Sequence, residues 1–172
     1  MNKIIIIAIV LSVALVGGIL LLSSRTSESA GSVSQEAEKV LALSFKDYQG
    51  NTVALSQFVN KPLVVNAWAA WCPFCREELK DFASVQKELG EQVVIIAIDR
   101  AESLETAKRY SDQLGVTNDL VFLLDPSDSF YQTIGGFSMP ETIFIDKTGV
   151  IRDHKRGPMN TEEIRQRIQK IL

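Results

Sequence analysis

Histidine and cysteine are almost missing from this chain, with one histidine (His154) and two cysteines (Cys72 and Cys75) in 172 residues. That scarcity excludes a good deal. A structural zinc site takes about four Cys or His ligands, and one CxxC supplies only two. Attachment of a c-type haem needs CxxCH, whereas Arg76 follows Cys75. An excess of basic residues is also lacking: 18 Lys and Arg stand against 21 Asp and Glu, a net charge of −3, so there is no basic patch for nucleic acid. The mild acidity reads as a solvated surface. No segment repeats.

What the chain does have at its start is a long apolar run. In "MNKIIIIAIVLSVALVGGILLLSS" one lysine, Lys3, precedes uncharged residues from Ile4 to Leu22. About 18 or more apolar residues can span a bilayer as a helix, whereas the apolar part of a cleavable signal is roughly 7–15 long. "SSRTSESAG" offers no clear small-x-small cleavage site, and the run has no cysteine for a thioether-linked lipid. Residues 1–22 are therefore expected to be an uncleaved signal-anchor, with a cleaved signal peptide as the other reading. Lys3 on the inner side sends the rest outward by the positive-inside rule, against a small opposing contribution from Arg25. Either way the folded part is expected outside the cytoplasm, on the outer face of the cell membrane or in the periplasm, where disulfide chemistry is permitted.

Residues 23–39, rich in Ser, Glu, Ala and Gly, read as a flexible extracytoplasmic linker, and residues 40–172 as one domain. "LSFKDYQGNTVAL" predicts two short strands about a turn at Tyr48–Asn51, with Gly50 free to take positive φ. "KPLVVNAW" predicts a buried strand, and a helical pattern follows from Cys72 to about Leu89, with Pro73 in its first turn. Strand "QVVIIAID", helix "SLETAKRYSDQLG", strand "DLVFLLD" and the short helix of "PSDSFYQTIGG" come next. Two strands, "ETIFID" and "VIRDHK", turn about "KTG", and "NTEEIRQRIQKIL" closes the chain as a helix capped at Asn160 or Thr161. Strands alternating with helices imply parallel crossovers, and the last hairpin adds antiparallel pairing. The expected fold is α/β with a mixed central sheet flanked by helices.

The two cysteines lie where strand gives way to helix. As a permanent staple they would close too short a loop to stabilise the fold much. As a redox pair they are well placed. The sulfur of Cys72 meets the unpaired N–H groups and positive end of the helix, which lower a thiol pKa and favour the attacking thiolate. Cys75, one turn on, can reach that sulfur and resolve a mixed disulfide formed there.

"WAAWCPFC" after "LVVN" resembles the thioredoxin superfamily. "DYQGNTVALSQFVNKPLVVNAWAAWCPFCREEL", "MPETIFIDKTGVI" and "RGPM" resemble its membrane-anchored TlpA/ResA/CcmG (DsbE)-type thiol-disulfide oxidoreductases, over most of the domain. The resemblance implies a thioredoxin-like fold with an N-terminal β-hairpin and a βα insertion. It makes Cys72 the attacking thiol and Cys75 the resolving one, joined as a redox-active disulfide. Pro140 matches the family's cis-proline, whose loop faces the disulfide and lets Met139 pair its backbone with a bound polypeptide. Glu78 matches a carboxylate that manages the proton of Cys75; the competing reading is a glutamate on a wet helix face among Arg76, Glu77 and Lys80. Trp71, Pro73 and Phe74 are expected on the substrate side together with Met139, Pro140 and Glu141, while Trp68 belongs to the core. Two departures stand out. Asn66 occupies the place of the thioredoxin aspartate and cannot act as a base, and Pro73–Phe74 replaces the usual dipeptides between the cysteines. His154, among Arg152, Asp153, Lys155 and Arg156 on an edge strand, is read as solvent-exposed and without a role.

The resulting expectation is a membrane-tethered monomeric reductase of disulfides in exported proteins, with no cofactor and no metal. Apocytochrome c is one substrate the resemblance implies, and a membrane thiol-electron transporter is the implied reductant. The alternative is a net oxidant that forms disulfides in secreted proteins. A peroxiredoxin-like peroxidase would carry a Thr or Ser ahead of the cysteine, where "AWAAW" stands in this chain, and a copper chaperone would use CxxxC.

Overall fold

The structure, a computed structural model, describes residues 35–172. The expected anchor over 1–22 lies outside the described residues; among these, no helix is long and apolar enough to cross a membrane. The first described element is a helix over residues 35–41 (α1), which places Ala37 and Val40 in the core. The last five residues of the expected linker, 35–39, thus belong to a helix.

A hairpin follows, β1 (Ser44–Asp47) and β2 (Thr52–Ala54), paired antiparallel. Gly50 takes φ +84 at its turn, a conformation that costs glycine little. The Asp47 carboxylate closes the turn by accepting the N–H groups of Gln49 and Asn51. β3 (Leu63–Trp68) leads through the cysteine loop into α2 (Cys75–Leu89), and β4 (Val94–Arg100) leads into α3 (Leu104–Leu114). Next come β5 (Val121–Asp125), α4 (Ser129–Thr133), β6 (Glu141–Ile145), β7 (Ile151–Arg156) and α5 (Thr161–Ile168). Side chains cap two of the helices: Ser103 accepts the Thr106 N–H and Asn160 accepts the Glu163 N–H.

The strands form one mixed sheet in the order β2-β1-β5-β4-β3-β6-β7. β3, β4 and β5 run parallel, and the pairings of β1 and β6 are antiparallel. β3 is buried throughout, so its two faces feed two cores. Val64 and Trp68 join Ile95, Ala97 and the apolar faces of α2, α3 and α5. Leu63, Val65 and Ala67 join Ile96, Ile98 and residues of α1 and α4. This is a thioredoxin-like α/β fold, with the sheet between two helical layers.

Phe82, fully buried on the inner face of α2, sits in the first of these cores. Phe82→Ala is expected to destabilise the domain by about 3–5 kcal/mol through lost burial plus an unfilled cavity, read as a lowered urea midpoint with an unchanged slope.

Candidate active site

β3 ends at Trp68, and its parallel neighbour β4 ends nearby, with Trp68 opposite Asp99. Across β3 on the other side, Ala67 is opposite Glu141, the first residue of β6. The cysteine loop and the loop before β6 therefore leave the sheet at the same end. Both cysteines are there, joined as a disulfide with Cα atoms 5.4 Å apart.

The pattern predicts a helix from Cys72, but α2 begins at Cys75. Residues 69–75 form tighter turns instead: the Cys72 N–H donates to Ala69 O and the Cys75 N–H to Cys72 O. Pro73 is compatible with a first helical turn, but the backbone here follows these shorter-range bonds, and Cys72 lies just outside the helix, joined to it through the disulfide. The Cys75 N–H also points at Cys72 Sγ, 3.2 Å away. Cys72 is only 1% exposed and Cys75 is fully buried, so a partner's sulfur reaches Cys72 after a local displacement of the surface. Beside them Trp71 and Phe74 are 61% and 59% exposed, and Pro73 is exposed too.

Glu78 is not on a wet face. One turn past Cys75 it is 2% exposed, its Oε1 accepting the Met159 N–H and its Oε2 accepting from Asn66 Nδ2 at 3.0 Å. Burial pushes its carboxyl up to about 8, against the opposing pull of those two hydrogen bonds. Asn66 also donates to Thr142 Oγ1, and its own Oδ1 is buried with no partner among the described residues. The residue that departs from the thioredoxin pattern is thus the one that holds Glu78.

Met139–Pro140 is a cis peptide bond; Met139 is half-buried against the core that includes both cysteines, and Pro140 is buried. Trp68 is a core residue, stacked on Tyr110 and edge-on to Phe122, each at 5.7 Å. Glu141 has no exposed side-chain surface, and its carboxylate is turned to its own loop and to β7. It accepts backbone N–H groups of its own loop and lies 2.7 Å from His154 Nε2. The reading of His154 as solvent-exposed is corrected by that contact: its side chain is 19% exposed and turned toward Glu141.

Sequence reasoning misses Asp99 and Glu102. Asp99, buried at the end of β4, accepts the Glu102 N–H, and Glu102 Oε2 in turn accepts the Ala70 N–H at 2.7 Å, two residues before Cys72. Burial and the neighbouring Glu102 carboxyl both push Asp99 upward. A buried acid closing a strand beside the motif strand is the signal that could have found them.

Known proteins resemble this chain in sequence and fold. The chain is 28% identical over 135 residues to the thioredoxin-like protein YneN of Bacillus subtilis (strain 168), covering 78% of this chain and 79% of that one. It is 30% identical over 123 residues to the thiol:disulfide interchange protein DsbE of Allochromatium vinosum, covering 70% and 65%. Among solved structures, the exposed lipoprotein thioredoxin Etrx1 of Streptococcus pneumoniae strain TIGR4 superposes with a TM-score of 0.67 at 28% identity, covering 74% of this chain and 98% of that one. The Redoxin family profile matches residues 35–171, nearly all of the described domain. With a disulfide between its only cysteines at the mouth of α2, in a fold and sequence shared with these proteins, the chain belongs to the Redoxin family.

Proposed function

We propose that this protein, a thiol-disulfide oxidoreductase, works outside the cytoplasm as a net reductase of disulfides in exported polypeptides. The observation that carries the reading is the Cys72–Cys75 disulfide, opening α2 with the buried carboxyl of Glu78 one turn along. In the dithiol form the Cys72 thiolate attacks one sulfur of a substrate disulfide, and the other substrate sulfur leaves as a thiolate and takes up a proton. Cys75 then loses its proton and attacks Cys72 Sγ. The second substrate thiol departs and the Cys72–Cys75 disulfide forms, so two electrons have passed to the substrate. Glu78 takes up and returns the Cys75 proton, a role its burial and raised pKa support. A dithiol donor restores the pair, and a membrane thiol transporter suits the location. The location is supported by the apolar run from Ile4 to Leu22. Apocytochrome c fits as substrate because its haem-binding cysteines must be reduced, and because "MPETIFID" resembles the cytochrome maturation branch.

Cys75→Ser in the full chain tests this. Expressed in its host, the variant should accumulate exported proteins bound through Cys72 in mixed disulfides that dithiothreitol releases. Finding none would overturn the order of attack. A reduction potential near about −120 mV, that of a strong oxidant, would reverse the direction of electron flow.

A further inference from the structure

The segment between α4 and β6, residues 134–140, carries no regular structure, yet four polar backbone groups in its second half are tied down. Glu141 Oε1 accepts the N–H of Phe137 at 2.5 Å and of Ser138 at 2.6 Å. The Ser138 carbonyl accepts from the Tyr131 hydroxyl at 2.9 Å, and the Pro140 carbonyl from the Gly157 N–H at 2.9 Å. A Cβ at Gly136 would run into the Tyr131 ring, so the loop lies flush against that ring. Tyr131 is in turn fixed by the Arg100 guanidinium, 3.3 Å from its ring centre, and Arg100 is paired with Asp128.

The anchor of all this is Glu141. Its Oε2 is 2.7 Å from His154 Nε2 and 3.7 Å from Arg156 Nε, both on β7. Burial would favour its neutral form, but the two backbone N–H groups and His154 outweigh it and keep the carboxyl below its ordinary range. What the clamp leaves untied is informative. Among the described residues, neither polar backbone group of Met139 has an intramolecular hydrogen-bond partner. Phe137, whose N–H is held from below, presents its ring to solvent at 85% exposure, the most exposed large apolar side chain of the described domain. An aromatic ring on a fixed backbone loses little entropy on contact, which suits it to recognition.

We propose that Glu141 and His154 are positioning residues that clamp the loop before Pro140, and that the clamp presents Phe137 as a specificity contact for an apolar side chain flanking the substrate cysteines. This deepens the reductase reading and rests on it. The partner is an extended polypeptide disulfide: the free N–H and C=O of Met139 suit an extended backbone, and Phe137 supplies the apolar surface beside them. His154 acts through Glu141, since its imidazole faces the carboxylate and not the cysteines.

The test uses single-turnover reduction by the pre-reduced full chain. Its probes are two synthetic peptides, each with one intramolecular disulfide, flanked by leucine in one and by glycine in the other. For the leucine peptide, Glu141→Ala should raise the half-saturating concentration about tenfold while the limiting rate stays within about twofold, a split expected when binding and not chemistry is lost. His154→Phe, which leaves the acid in place, should give a smaller rise, and His154→Gln, which keeps a donor toward Oε2, should restore most of it. Phe137→Ala should remove the preference for the leucine peptide over the glycine one and leave the reduction potential as in the wild type. Equal loss on both peptides for Phe137→Ala, or a shifted potential for His154→Phe, would overturn the proposal. Failure of the wild type to reduce either peptide would instead overturn the reductase reading, so the two are separable.

Discussion

Cys72→Ser is expected to bring disulfide exchange down to background, a loss of at least about a thousandfold, or roughly 4 kcal/mol of barrier. The attacking species is a thiolate, and a serine hydroxyl forms no comparable anion near neutral pH. Nothing else in the fold can substitute. Cys75 is fully buried within α2, whereas Cys72, itself only 1% exposed, precedes the helix and is flanked by the exposed rings of Trp71 and Phe74, where a local displacement of the surface uncovers it. The local field also favours Cys72 as the anion. It lies at the start of α2, where the first N–H groups have no partner within the helix, and the Cys75 N–H donates to its sulfur at 3.2 Å. The measurement is the rate at which reduced protein reduces a peptide disulfide. A Cys72→Ser variant that keeps more than about a hundredth of the wild-type rate would make the assigned nucleophile wrong. Fold stability should change little, because closing so short a loop removes little entropy from the unfolded chain.

How much of this is legible in the chain depends on how local the cause is. The hairpin at Gly50, the buried run of β3 and the cap at Asn160 follow from patterns a few residues long, and the structure has them where those patterns lie. Periodicity places the start of α2 three residues early, because a 3.6-residue repeat does not register the tighter turns over residues 69–75 that precede the helix. The helix over 35–41 is hidden by composition: Ala37 and Val40, three apart, are its only fully buried residues, with Leu41 half-buried at its end. The site shows the same division. The CxxC is legible because its residues adjoin in sequence. The contact between Glu141 and His154 is not, since it arises when β7 folds back on β6 and places Arg156 opposite Glu141 and His154 opposite Ile143. A histidine among Arg152, Asp153, Lys155 and Arg156 looks solvated until that register is known. Asn66 is visible as a departure, but its partner Glu78 is twelve residues away, on the helix that covers the strand.

The second large effect concerns Glu78 and the pH dependence it builds into the fold. Oxidised protein should lose stability as pH rises from about 4.5 to about 8, the ordinary value of the carboxyl and its value in the folded chain. Over that window the folded state keeps a proton that the unfolded chain has released, so raising the pH favours unfolding. Burial is the main cause; Asp81 on the same helix adds to it, and Lys155 from β7 opposes it. At about 1.4 kcal/mol per pKa unit, and allowing for relaxation around a buried charge, the contribution of Glu78 is on the order of 2–4 kcal/mol. Glu78→Gln should remove that contribution and lessen the slope of denaturation midpoint against pH, leaving the same-signed dependence contributed by Asp99, whose carboxyl burial also pushes up to about 8. The amide is also accommodated. Its carbonyl oxygen can still accept the Met159 N–H, and turning over the Asn66 amide offers the unpartnered Asn66 Oδ1 to the new N–H₂. Curves for wild type and variant that fall in parallel would show that Glu78 is already ionised in the folded protein. The same substitution should slow release of substrate from the mixed disulfide by about 10²-fold, since an amide cannot take the Cys75 proton, while first attack by Cys72 keeps its rate. That asymmetry separates a group that moves a proton from one that merely fills space. A packing defect at Glu78 would disturb both half-reactions, because Cys72 and Cys75 share one core with the helix that carries it.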